Sequence, residues 1–196
     1  MELIWSFACL PVGREFGDWD LRRAIRSIQD IEWRTSMKRI VFTGVGGQSV
    51  RVISHVLAMA LKELGYEVTL LFDYDSSVRN TRISAYLTYD QRPIENPMID
   101  EADILIRLHE KGDQLVAQKT ICDTGLCTDE EVPFGMLGIE KFGLAIFGNM
   151  IALGRLFRLI DLDISHIQLE TLLPKSHLKE NLKAIQLGYD LNLYED

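Results

Sequence analysis

The sequence predicts an α/β protein: a three-layer, Rossmann-like, doubly wound and mostly parallel sheet with a helical C-terminal third. Three observations lead there. From Met37 onward, short β-prone runs alternate with a helical pattern. The first run, Ile40-Val41-Phe42, breaks into Gly44, Gly46 and Gly47 before a helix begins. The last third is apolar at helical spacing, not at strand spacing.

Residues 1–37 are read as an N-terminal extension and 38–196 as the domain. All three tryptophans, Trp5, Trp19 and Trp33, lie in the extension. Its "LIWSFACL" reads as a short strand and "DWDLRRAIRSIQDIEWR" as an amphipathic helix, with Leu21, Ile25 and Ile28 opposite the arginines. Such an arm packs on its own domain or on a partner chain, since Trp and Arg are favoured at interface anchors. In the domain, strand one falls at about 39–43 and helix one from Gly47 to Leu64, ended by Gly65. "YEVTLLF" is strand two, and the polar "DYDSSVRNT" is a loop. "RISAYLTY" alternates as a third strand, "DILIRL" is a short buried one, and "KTICD" is another candidate. "KFGLAIFGNMIALGRLFRLI" is apolar nearly all round, which predicts a buried helix in two parts bent near Gly148. "DISHIQLETLLP" starts on a capping residue and stops at Pro174, and "SHLKENLKAIQLGYD" is amphipathic and closes at Gly188.

Composition excludes some functions. A net charge of -8 argues against a general nucleic-acid binder, which needs a basic surface. An anionic ligand would have to be held by local N–H groups and a few Arg or Lys side chains. No apolar run reaches the roughly 18 residues of a membrane span. The start of the chain has no basic n-region, so a secretory leader is not expected and a cytoplasmic protein is. Cys9, Cys122 and Cys127 are sparse and odd in number, which predicts reduced thiols, and their spacing suits neither zinc nor an iron–sulfur cluster. No metal site and no catalytic Ser/His/Asp or Cys/His set is expected. His55 is expected at an interior or boundary position on helix one, and His109 ends a buried strand at the ligand-bearing edge. His166 and His177 read as surface residues, and "CTDEEVPFG" as a solvated loop, because adjacent carboxylates repel.

The glycine turn carries the chemistry. A strand–turn–helix leaves the first N–H groups of the helix without intrahelical partners, and glycine lets a phosphate approach them. The dinucleotide fingerprint is G-x-G-x-x-G with an acidic residue about 20 positions on for the ribose. Gly44 and Gly46 fill its first two places, Ser49 stands at the third, and Asp73 and Asp75 follow strand two. From spacing alone, a phosphate turn and a purely structural turn both stand.

The neighbouring residues extend this. "RIVFTGVGGQSV" resembles the G-x-G-G-Q-G turn of the gamma subunit or gamma domain of 2-oxoacid (pyruvate, ketoisovalerate or 2-oxoglutarate):ferredoxin oxidoreductases. "GYEVTLLFDY", "PMIDEADILIRL", "GNMIALGRL" and "LPKSHLKENLKAIQLGYD" are similar to further segments of that family, in order, over about residues 38–190. The resemblance implies a non-catalytic subunit of a complex that oxidatively decarboxylates a 2-oxoacid to an acyl-CoA and passes electrons to ferredoxin. It implies coenzyme A on this chain, with thiamine diphosphate and iron–sulfur clusters on partner subunits. It also implies assembly contacts with those subunits, a homodimer being one state of the isolated chain. Gly44, Gly46, Gly47 and Gln48 match the family turn, and Ser49 departs from its last glycine. Where the family often has Y-G-P-E-x-R-G-G, this chain has "YDSSVRNT": Tyr74 and Arg79 match, while the glycines are gone. The expected cofactor-binding residues are therefore Gly44, Gly46, Gly47, Gln48, Ser49 and Arg79. Two other readings remain from the residues: a stand-alone NAD(P)-dependent dehydrogenase with Asp73 or Asp75 on the ribose, and a diverged subunit kept for assembly alone.

Overall fold

The computed structural model describes residues 37–74 and 81–191. The readings placed on the N-terminal extension, on Asp75 and on Arg79 lie outside the described residues. Six strands run β1 (Lys38–Val45), β2 (Glu67–Tyr74), β3 (Arg82–Asp90), β4 (Ala102–Arg107), β5 (Ala117–Cys122) and β6 (Glu130–Glu131). They form one sheet in the order β2-β3-β1-β4-β5-β6. β1, β4, β5 and β6 are mutually parallel, while β3 is antiparallel to both β1 and β2. The expected mostly parallel α/β sheet is present, with one reversed strand inserted between β2 and β1.

β1 is buried on both faces, as an apolar central strand should be: Ile40, Val41 and Phe42 are all sealed from solvent. Helix α1 (Val50–Glu63) follows it and buries Val50, Ile53, Val56, Leu57, Ala60 and Leu61. Their three- and four-residue spacing is the reason this segment is a helix with one apolar face. It ends where the sequence places the stop. Gly65 adopts φ +86, Gly65 N–H bonds the Lys62 carbonyl, and Tyr66 N–H bonds that of Leu61. On the sheet face bearing Val41, Ala102 and Leu105, the cover comes from Ile99 and Leu115 of connecting loops.

The helical third comprises α2 (Phe134–Phe142), α3 (Phe147–Leu159), a 3-10 turn (Ile164–His166), α4 (Leu169–Leu172) and α5 (Leu178–Asp190). α2 and α3 are the expected two-part apolar helix, bent by 116°. The break falls at Gly143, in the left-handed conformation at φ +83, and not at Gly148. Gly148 serves a different need, because a Cβ there would lie 2.3 Å from the Phe134 carbonyl oxygen. Likewise α5 runs through Gly188 instead of closing at it. α5 and α3 cross so closely that a Cβ on Gly188 would lie 1.9 Å from the Ile151 oxygen, and one on Gly154 the same distance from the Ile185 oxygen. "DISHIQLETLLP" is not one helix: Asp163 caps the short 3-10 turn through Ser165 N–H, and α4 covers only four residues.

Two further expectations are corrected. Glu130 is not part of a solvated loop. It is buried in β6, with Arg155 Nε 2.7 Å and Lys119 Nζ 2.8 Å from its carboxylate. Opposite charges on two neighbouring elements neutralise it, which the local run of acids cannot show. Cys122 and Cys127 are disulfide-bonded, not reduced thiols. A turn closed by Leu126 N–H on the Asp123 carbonyl folds the chain back and sets the two Cα atoms 6.0 Å apart, within ordinary disulfide reach.

Candidate functional site

β1 ends in the turn and α1 begins just after it, so residues 44–49 lie at the carboxyl edge of the parallel strands, where open α/β sheets place their ligands. The turn is braced from within. Gln48 folds back so that its Oε1 accepts from Val45 N–H at 2.9 Å, while its Nε2 donates to the Leu108 carbonyl at 2.9 Å. A Cβ on Gly44 would lie 2.6 Å from Gln48 Oε1. Gly44 and Gln48 are therefore a matched pair, one leaving the space that the other fills. Gly46 N–H is bonded to the Thr81 carbonyl at 3.0 Å. The buried Asn149, at the start of α3, donates to the Gln48 carbonyl and ties the turn to the helical third.

What is left over faces outward. Gly47 is exposed at φ +97 with nothing within 4 Å of where its Cβ would stand. Ser49 is left-handed at φ 54 and ψ 19, and its side chain makes no capping hydrogen bond. Val52 and Ile53 N–H groups bond the Ser49 carbonyl, and Gly47, Ser49, Val50 and Arg51 N–H groups have no acceptor among the described residues. A left-handed residue next to a helix start is how backbone N–H groups come to converge on one point, as in anion-binding nests. The glycine that the family pattern has at position 49 thus coincides with a positive φ, which serine adopts at a cost of roughly 1–2 kcal/mol.

Beside the turn lies a polar network that sequence reading did not single out. Asp113 accepts from Ser84, from Tyr86 at 3.0 Å and from Arg82, and its own N–H donates to Thr43 Oγ1 at 2.6 Å. Arg82 also bonds Asp73. Burial first, then the Asp113 charge and hydrogen bond, push the Tyr86 phenol above its ordinary value. Asp113 sits in a loop after β4, so only the fold brings it to Thr43. Asp73, the candidate ribose acid, is occupied by Arg82. It also lies on β2, which β3 separates from β1 by two strand spacings, about 10 Å. In a dinucleotide-binding sheet that acid stands on the strand next to the turn.

The histidines do not converge on the turn. His55 is exposed on α1, contrary to the interior or boundary position expected for it, because it falls opposite the buried stripe. His109 accepts Lys111 N–H at Nδ1, and His166 and His177 are exposed as expected. No group of three or more His, Cys, Asp or Glu side chains able to hold a metal ion occurs among the described residues. No single helix among them is long and apolar enough to cross a membrane.

Residues 39–191 match the pyruvate ferredoxin/flavodoxin oxidoreductase family. The chain belongs to that family. Among curated relatives, the 2-oxoglutarate synthase subunit KorC of Archaeoglobus fulgidus is 26% identical over 161 residues, covering 78% of this chain and 86% of the relative. Among solved structures, the keto/oxoacid ferredoxin oxidoreductase gamma subunit of Geobacter sulfurreducens aligns with a TM-score of 0.63 at 18% identity, over 80% of this chain and 96% of that one. The 2-oxoglutarate:ferredoxin oxidoreductase of Magnetococcus marinus, solved with 2-oxoglutarate, coenzyme A and succinyl-CoA bound, aligns at 0.62 and 16% identity over 79% of this chain and 31% of that one. The resemblance read from the glycine turn and the segments after it is borne out at the level of the family: it pointed to the oxidoreductases whose model these residues match. Family membership and sheet order both count against the stand-alone dehydrogenase.

Proposed function

We propose that this gamma-type chain is a non-catalytic, cytoplasmic subunit that presents residues 44–49 to coenzyme A. In this reading it works inside a complex whose other subunits carry thiamine diphosphate and iron–sulfur clusters and pass electrons to ferredoxin. The observation that carries the reading is the set of N–H groups at Gly47, Ser49, Val50 and Arg51, which have no acceptor among the described residues and stand beside an open glycine. An anion there gains several donors and the positive end of α1 without displacing any bond made by the described residues. The turn is also preorganised, since Gln48, Asn149 and Leu108 hold its shape before a ligand arrives. Coenzyme A, when bound, supplies the thiol that takes up the acyl group. The roles of this chain are to seat the anionic end and to join the subunits. Gly46 and Gly47 permit the approach, Gly44 and Gln48 brace the turn, Ser49 offers its N–H, and Arg79 is a second anion contact.

Titration of the full-length chain with coenzyme A by calorimetry, beside a Gly46→Asp variant of unchanged circular dichroism, tests this. Binding that the variant loses is the expected result. Equal binding by both proteins contradicts the site, and no binding by the native chain favours a subunit kept for assembly alone.

A further inference from the structure

Cys122 ends β5 at the carboxyl edge of the sheet and is fully buried, while its partner Cys127 is half-buried in the loop that leads to β6. That loop is tied to the glycine turn. Arg107, at the end of β4, donates from Nη1 to the Leu126 carbonyl at 2.7 Å and from Nη2 to the Glu110 carbonyl at 2.8 Å. Its Nε is buried and has no partner among the described residues, so the two carbonyls are the bonds that hold the guanidinium there. The next residue, Leu108, donates its N–H to the Thr43 carbonyl and accepts the Gln48 amide at 2.9 Å. Gln48 in turn accepts Val45 N–H. A continuous path of bonds therefore runs from Cys127 through Leu126, Arg107 and Leu108 to the brace of the turn.

Disulfides that form in a reducing compartment, the one proposed above for this chain, are mostly transient or redox-sensing. We propose that Cys122–Cys127 is a thiol–disulfide exchange site opened by a protein dithiol, and that its closed form is the one that keeps the glycine turn braced. Burial decides which sulfur is attacked, because Cys127 is the half that a second protein can reach. The incoming thiolate bonds Cys127 Sγ, and Cys122 leaves as a thiolate and takes up a proton. The second thiol of the reductant then attacks the mixed disulfide, releases Cys127 as a thiol and leaves the reductant as a disulfide. Two electrons and two protons have passed to this chain. With the bond open, the 123–127 loop is no longer held closed on β5, and the Leu126 carbonyl leaves Arg107. The segment that supplies the Leu108 carbonyl then loosens, and Gln48 with it.

Two measurements on the full-length chain test this. A thioredoxin whose resolving cysteine is replaced by serine should be trapped on Cys127, as read by peptide mass. Amide exchange followed by NMR, before and after reduction by native thioredoxin, reports the turn. Val45 and Leu108 N–H groups should exchange about tenfold faster in the reduced chain, the scale of one lost charge-assisted hydrogen bond, while α5 stays protected over the same period. Arg107→Gln keeps the disulfide and should speed the same two amides. Trapping on Cys122, a bond that thioredoxin leaves intact in the folded chain, or unchanged Val45 exchange on reduction or in Arg107→Gln overturns the proposal. Loss of protection in α5 together with the turn also overturns it, since the bond would then serve overall stability alone. None of these readouts involves coenzyme A, so their outcome is separate from that of the coenzyme titration.

Discussion

Ser49→Gly is the sharpest test of the local account. Ser49 sits at φ 54 and ψ 19, and its hydroxyl makes no capping bond that the substitution would remove. A non-glycine residue in the left-handed region gives up roughly 1–2 kcal/mol, through crowding of its Cβ against the following carbonyl. Glycine relieves that but adds freedom to the unfolded chain, worth about 0.4–1 kcal/mol in the opposite direction. The difference spans about 0–1.6 kcal/mol and centres near 0.8, which leaves Ser49→Gly the more stable protein, by about 2 °C in Tm for a chain of this size. Paired urea unfolding curves measure it, with an unchanged m-value as the check that only stability moved. Ser49→Ala serves as control. It keeps a Cβ and loses only an uncapped hydroxyl, so it should stay within about 0.5 kcal/mol of the native protein. A Ser49→Gly protein less stable than native, or an alanine variant as stabilised as the glycine one, would refute the argument from the positive φ.

Three further outcomes follow from the packing and the charges. Gly154→Ala should cost about 3 kcal/mol or more in urea unfolding, because a Cβ placed 1.9 Å from the Ile185 oxygen has to push α3 and α5 apart; a loss under 1 kcal/mol would contradict the crossing. For Glu130, burial pushes the carboxyl up, but the hydrogen bonds and charges of Arg155 and Lys119 outweigh it and hold the pKa below the ordinary 4.5. A depressed folded pKa contributes stability that is fully present above 4.5 and is lost as pH falls through the folded value, so acid unfolding in that window should flatten in Glu130→Gln. That variant should also lose about 3 kcal/mol at neutral pH, since Arg155 stays buried without its carboxylate. Reduction of Cys122–Cys127, which are five positions apart, should release about 2 kcal/mol of loop-closure stabilisation and lower Tm by about 4–8 °C; an unchanged melting curve together with two alkylated thiols would contradict this.

The sequence made the sheet and its first crossover legible because their signals are local. Ile40 to Phe42, the stripe Val50 to Leu61 and the stop at Gly65 each declare themselves within a dozen residues. The turn was legible for the same reason, down to Ser49 as the odd residue. What escaped depends on distant partners. Glu130 looks solvated until Arg155 arrives from α3, and Asp113 looks like an ordinary loop acid until the fold brings Thr43, Ser84 and Arg82 to it. Glycine was the misleading residue. At 143 it breaks a helix through its positive φ, while at 148, 154 and 188 it lets backbones touch, and spacing alone cannot separate the two uses. Asn149 did carry a signal, a lone amide in the apolar first half of α3, which marks a side chain whose hydrogen bond lies elsewhere.

The central claim is that this chain works inside a multi-subunit 2-oxoacid oxidoreductase. The most direct measurement is anaerobic isolation of the tagged full-length chain at native expression level, with mass spectrometry of what accompanies it. The account predicts stoichiometric partner subunits that carry thiamine diphosphate and iron–sulfur clusters. A solitary monomer or homodimer would contradict it.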